Sequence, residues 1–122
     1  MNSDLELCLK HLKALVACDT SNPPKNIQDS GLFNYLDSLD YLKPNITDLG
    51  DGSFNILLTK GEPEYLFNVH LDTVPAGEGW STDPLILTIL ENKAFGLGAC
   101  DIKGAAACLL TLIETGLENY AV

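Results

Sequence analysis

Residues 64–70 read Glu-Tyr-Leu-Phe-Asn-Val-His, and the next five read Leu71-Asp-Thr-Val-Pro75. The first run is short, nearly continuous in apolar character and closed by a histidine. Such runs suit a strand buried on both faces of a parallel sheet, not the half-exposed strand that alternates apolar with polar. His70 then stands at the carboxyl end of that strand, where open α/β sheets bind their ligands. Working outward, Asn45–Leu49 and Asn55–Thr59 read as strands joined at Gly50-Asp51-Gly52, a tight-turn signal. Two further strands are expected near 85–91 and 93–97, turning at Glu91-Asn92-Lys93. A loop with Pro75, Gly77, Gly79 and Pro84 fills 73–84.

Helices flank these strands. Leu5, Leu9, Leu12, Leu15 and Val16 recur at helical spacing, so a helix is expected over roughly 4–17, capped by Ser3 or Asp4. His11 falls on its polar side and reads as a solvated surface residue. Asp19-Thr-Ser-Asn-Pro-Pro24 resists regular structure. A second helix is expected over 28–42 with Leu32, Phe33, Leu36, Leu39 and Leu42 inward, stopped at Lys43-Pro44. A third begins near Ile102–Gly104 and runs to about Leu117, and Tyr120-Ala-Val122 opens another strand. The fold class is therefore α/β, a layered sheet with flanking helices.

Composition narrows the function. The chain has 122 residues, enough for one core, and 46% of them are apolar. Its net charge is −10, with seven lysines and no arginine. Nucleic acid needs a basic stripe, so no nucleic-acid partner is expected, and an anionic membrane is disfavoured for the same reason. No apolar run reaches the roughly 18 residues of a membrane span. The acidic start lacks the pattern of a signal peptide, and a cytoplasmic location is the expectation. Cys8, Cys18, Cys100 and Cys108 form no C-x-x-C pair and read as free thiols in a reducing compartment. Cys8 and Cys108 lie in apolar helical patterns and are expected in the core.

Two clusters carry chemistry. In His70-Leu-Asp72, a neutral imidazole is a good zinc ligand, and its second ring nitrogen needs an acceptor. Asp72 projects to the same side of an extended chain and can be that acceptor. Taken alone the pattern is weak, and a structural histidine paired to an aspartate is its commoner explanation. The second cluster is Gly96-Leu-Gly98-Ala-Cys-Asp101-Ile-Lys103-Gly104. It is no dinucleotide fingerprint, because a carboxylate at its sixth position would repel a pyrophosphate. The glycines instead let the backbone turn so that Asp101 presents its carboxylate at the sheet edge. A plain helix N-cap role for Asp101 stays open.

Leu66-Phe-Asn-Val-His-Leu-Asp-Thr-Val-Pro75, Trp80, Asp83-Pro84 and Gly96–Gly104 together resemble the acetylornithine deacetylase / succinyl-diaminopimelate desuccinylase family. These are di-zinc amidohydrolases related to the aminoacylases and zinc exopeptidases. The wording around Ile102-Lys-Gly-Ala-Ala106 is similar to the acetylornithine and acetylcitrulline deacetylase branch. Leu97 and Ala105 depart from the family's frequent Arg and Gly at non-ligand positions. The resemblance implies that residues 1–122 are the N-terminal part of a zinc-exopeptidase-like catalytic domain, with the rest of that domain and a small dimerisation domain outside them. It implies two zinc ions, or cobalt, in the complete enzyme. His70 would bind one ion, Asp101 would bridge both, and Asp72 would orient His70 as a catalytic residue. A cis peptide after the bridging aspartate is also implied. The implied reaction is hydrolysis of a small N-acyl amino acid, with N-acetylornithine (arginine biosynthesis) first and acetylcitrulline or succinyl-diaminopimelate as alternatives. The family's base is the first glutamate of a Glu-Glu pair, and residues 1–122 contain no such pair. The segment alone is therefore expected to be inactive, and a non-catalytic binding remnant is a competing reading. A homodimer is implied for the complete enzyme. Self-association is expected for the segment through an unpaired sheet edge.

Overall fold

The computed structural model describes residues 2–122. Helix α1 spans Ser3–Ala17. Its cap is Asn2, one position before the expected Ser3, with the Asn2 side-chain oxygen accepting from the Asp4 N–H at 2.9 Å. A helical turn at Ile27–Asp29 precedes a short helix α2, Leu32–Asp37. The single helix expected over 28–42 is thus broken. Gly31, at φ +85°, sits in the left-handed region between the two pieces, a conformation that glycine adopts at no steric cost. Leu39 and Leu42 nevertheless turn inward and are buried beside Leu32 and Leu36.

Strands β1 (Asn45–Asp48) and β2 (Phe54–Leu57) pair as an antiparallel hairpin, Asn45 opposite Leu57. Strands β3 (Thr59–Lys60), β4 (Tyr65–Leu66) and β7 (Tyr120–Ala121) make a three-stranded sheet in the order β3-β7-β4. The expected strand at Tyr120 exists and is central, antiparallel to β3 and parallel to β4. Strands β5 (Thr88–Leu90) and β6 (Lys93–Phe95) form a third, separate hairpin. Its turn residues Glu91 and Asn92 both have positive φ, the geometry that matches the twist of a two-residue hairpin. Helix α3 runs from Gly104 to Glu114.

The core is the face where α1 and α3 pack on each other and on α2, through Leu12, Leu15, Val16, Ala107, Leu110 and Ile113, with Tyr120 beneath. Two expectations fail here. The run 64–70 is regular strand only at Tyr65–Leu66, and those side chains are 57% and 76% exposed, not buried on both faces. Among the described residues β4 is paired on one side only and no layer covers its outer surface. His11 is fully buried, not solvated. Its Nδ1 lies 2.6 Å from the Tyr35 hydroxyl and its Nε2 lies 2.8 Å from Oε2 of Glu114, which also accepts from Tyr41 at 2.8 Å. Both ring nitrogens are satisfied, so burial costs the imidazole little.

Candidate metal-binding wall

Segment 18–22, which leaves α1, ties together the two clusters that carry the chemistry. It runs beside the His70–Thr73 loop: the Asn22 N–H donates to the Thr73 carbonyl at 2.8 Å, and the Thr73 N–H donates to the Thr20 carbonyl at 3.1 Å. The Thr20 hydroxyl donates to the Leu71 carbonyl. Asp19 holds the segment's own turn by accepting from the Ser21 hydroxyl at 2.6 Å and the Ser21 N–H at 3.2 Å. Those hydrogen bonds keep its carboxyl below the ordinary range. Thr20, Ser21 and Asn22, followed directly by Pro23 and Pro24, are unsuited to helix or strand, which leaves the segment's backbone groups free to do this.

The second tether is Lys103. Its side chain is 1% exposed, and Nζ donates to the Cys18 carbonyl at 2.9 Å. Burial lowers its pKa, an effect that Cys18 and Asp19 partly offset. Lys103 closes a turn over Ala99–Lys103 whose entry is Gly98, with the Lys103 N–H donating to the Gly98 carbonyl at 2.9 Å. Within this turn Asp101 and Ile102 leave helical geometry, and the Asp101–Ile102 peptide is cis. Asp101 makes no cap hydrogen bond to the following helix. The plain N-cap role left open by the sequence is therefore not what the carboxylate does.

His70, Asp72 and Asp101 come together at the end of the β4 segment. Nδ1 of His70 lies 3.2 Å from Oδ1 of Asp72 and 3.0 Å from the Asp72 carbonyl oxygen. Nε2 lies 3.2 Å from Oδ1 of Asp101. The Asp101 side chain is 82% exposed, so its second oxygen is open to solvent. His70 and Asp72 also line a cleft of about 760 Å³ between segment 66–72 and α3.

This arrangement has one chemical consequence. If Nδ1 donates its proton to the Asp72 side, Nε2 directs a lone pair at a carboxylate oxygen. Two such donors repel unless a proton or a metal cation lies between them. Zinc binds imidazole nitrogen at about 2.0–2.1 Å and carboxylate oxygen at about 2.0–2.2 Å, which places tetrahedral neighbours roughly 3.3–3.5 Å apart. The observed 3.2 Å is close to that spacing. Among the described residues no set of three His, Cys, Asp or Glu side chains converges on one point. Catalytic zinc sites use three protein ligands, so the residues present fit part of a metal site.

Sequence reasoning missed the roles of Lys103, Thr20 and Thr73. The one signal for Lys103 was a lone lysine at the head of the apolar run Ala105-Ala-Ala-Cys-Leu-Leu110, where a charged side chain has little but carbonyls to pair with.

Residues 66–121 match Peptidase family M20/M25/M40. The chain is 45% identical over 118 residues to N-acetyl-L-citrulline deacetylase of Xanthomonas campestris pv. campestris, covering 95% of this chain and 32% of that protein. Acetylornithine deacetylase of Vibrio vulnificus is 44% identical over 63 residues, which is 49% of this chain and 17% of that protein. Succinyl-diaminopimelate desuccinylase of Gluconobacter oxydans is 41% identical over 62 residues, 51% of this chain and 16% of that protein. The chain thus spans a third or less of these relatives' length. The structure of human carnosine dipeptidase 1 superposes with a TM-score of 0.67 at 25% identity, over 89% of this chain and 28% of that one. No helix among the described residues is long and apolar enough to cross a membrane. By its matched residues 66–121, its relatives and its α/β fold, the chain is similar to peptidase family M20/M25/M40.

Proposed function

We propose that residues 1–122 form one wall of the active site of a metal-dependent hydrolase that cleaves small N-acyl amino acids. The observation that carries this reading is the facing pair of donors, His70 Nε2 and Asp101 Oδ1, at 3.2 Å. His70 and Asp101 would hold the metal, zinc or alternatively cobalt, with the open oxygen of Asp101 available to a second ion. When bound, the metal supplies a water acidified to a pKa near 7 and polarises the scissile carbonyl. Asp72 acts on the other ring nitrogen: it fixes the tautomer that leaves Nε2 free and holds the ring in place. Segment 18–22 and Lys103 keep the two clusters in register. Residues 1–122 offer no glutamate pair to move the proton and no arginine to clamp a substrate carboxylate. Those parts are assigned to further protein, and turnover by this segment alone should be negligible.

Within this class we favour a deacetylase acting in the cytoplasm, with N-acetylornithine as substrate. N-acetylcitrulline is a second reading, favoured by the 45% identity over 118 residues to the Xanthomonas protein. Replacing the aligned segment of that protein with this chain tests both. A folded chimera should hydrolyse an N-acetyl amino acid, and the ratio of N-acetylornithine to N-acetylcitrulline to N-succinyl-diaminopimelate turnover ranks the substrates. A chimera that folds, by circular dichroism, and hydrolyses none of the three contradicts the proposal.

A further inference from the structure

Cys8 on α1 and Cys108 on α3 stand 100 residues apart in sequence and bring their sulfurs to 3.6 Å. Neither is the core residue that the helical pattern predicts. Cys108 is exposed and Cys8 is half-buried, and both are free thiols. A disulfide needs about 2.05 Å between sulfurs, so closure requires a further approach of about 1.5 Å. Both residues are on helices already packed against each other through the core, which limits the ways in which the two sulfurs can separate.

We propose that Cys8 and Cys108 are a reversible disulfide site that links α1 to α3 when the chain meets an oxidising low-molecular-weight disulfide such as oxidised glutathione. Cys108 is the attacking residue, because it is the solvent-accessible one. Its thiolate attacks one glutathione sulfur, forming a mixed disulfide and expelling one glutathione thiolate, which takes up a proton. Cys8 then loses its proton and attacks the Cys108 sulfur, expelling the second glutathione. The protein gives up two electrons and two protons, and one oxidised glutathione becomes two reduced ones. Burial, reinforced by Cys108 itself, pushes the Cys8 thiol up. That suits Cys8 to the second step, in which the mixed disulfide holds its target beside it, and not to the first.

The other two cysteines do not compete for this pairing. Cys18 is buried and points its sulfur at the Ala14 carbonyl, 3.3 Å away. Cys100 lies in the Ala99–Lys103 turn beside Asp101. The link would fasten the two helices whose site-facing ends are already joined by Lys103 and the Cys18 carbonyl. The state of the Cys8–Cys108 pair would then bear on how rigidly that wall is held.

The four cysteines fall in four different tryptic peptides, 1–10, 14–25, 94–103 and 104–122, which makes the test clean. The chain is incubated with oxidised glutathione, alkylated, digested without reductant and mapped by mass spectrometry. The expected result is peptide 1–10 joined to 104–122, a thiol titre that falls from four to two, and full reversal by dithiothreitol. C108S and C8S should form no such link, while C18S and C100S should keep it. Four alkylated cysteines after oxidation would overturn the proposal. So would a link through Cys18 or Cys100, a link between chains, or a glutathione adduct on Cys108 that never resolves. The map of the unsubstituted chain decides the matter even if a variant fails to fold.

Discussion

Nε2 of His70 and Oδ1 of Asp101 face each other at 3.2 Å, although one residue ends the β4 segment and the other belongs to the turn that leads into α3. On its opposite side the same ring meets Oδ1 of Asp72 at 3.2 Å. In the proposed reading, this imidazole binds a cation through one nitrogen and is steered through the other.

The steering role gives a first expectation. In the chimera with the Xanthomonas protein, D72N should keep the fold and lower zinc affinity or turnover by about 10–100-fold, the usual effect of removing a ligand's hydrogen-bond partner. A zinc titration alongside the activity assay measures both.

The turn that carries Asp101 depends on two glycines for different reasons. A Cβ on Gly98 would meet Cγ2 of Thr73 at 2.6 Å, and the residue has φ +75°. G98A should therefore cost about 2–4 kcal/mol, from left-handed strain and from steric overlap with the His70–Thr73 loop. Gly104 has ordinary helical angles. Its added Cβ would lie 2.5 Å from the Ala99 carbonyl oxygen, so G104A should cost about 1–3 kcal/mol through close approach alone. Urea denaturation of each variant checks these values.

The buried His11 should make stability depend on pH. Burial, only partly offset by Glu114, holds its pKa below the ordinary 6.5. The unfolded chain therefore binds a proton near pH 6.5 that the native state resists, and stability is highest above that pH and falls as pH drops below it. Burial opposes ionisation of Glu114, but hydrogen bonds from Tyr41 and His11 outweigh it and leave this carboxyl below the ordinary 4.5. Its contribution is present above pH 4.5 and is lost on further acidification. H11L should flatten the slope just below pH 6.5. E114A should destabilise the chain at pH 7 by about 1–3 kcal/mol, because the buried His11 ring loses its acceptor and the exposed Tyr41 hydroxyl loses its own. Denaturation midpoints from pH 4 to 8 test both.

The outer side of β4, with Tyr65 and Leu66 exposed, is an open strand edge among the described residues. We expect the segment to self-associate through it, and L66K should reduce that association. Static light scattering that finds a monomer at every concentration would contradict this expectation.

Much of this was legible in the sequence because local chemistry governs it. The helix at Ser3–Ala17 follows from apolar spacing, and the turn at Glu91-Asn92 from residues that tolerate positive φ. The clusters at His70 and Asp101 stood out because histidine and aspartate beside glycines serve few packing purposes. What could not be read depended on partners distant in sequence. His11 looked solvated until Tyr35 supplied a donor and Glu114 an acceptor from other helices. Segment 64–70 looked doubly buried because an apolar run does not say whether a layer covers it, and here Tyr65 and Leu66 lie exposed on an edge strand. Cys108 looked like core because helical periodicity cannot tell a core position from an exposed one beside a neighbouring thiol.

The central claim is that His70 and Asp101 hold metal together. Zinc content per chain in the chimera with the Xanthomonas protein, compared with its H70A and D101A variants at equal folded concentration, tests it most directly. The account predicts zinc in the parent chimera and a loss of bound zinc in each variant, greater for D101A if that carboxylate serves two ions. Zinc content unchanged by both substitutions would contradict it.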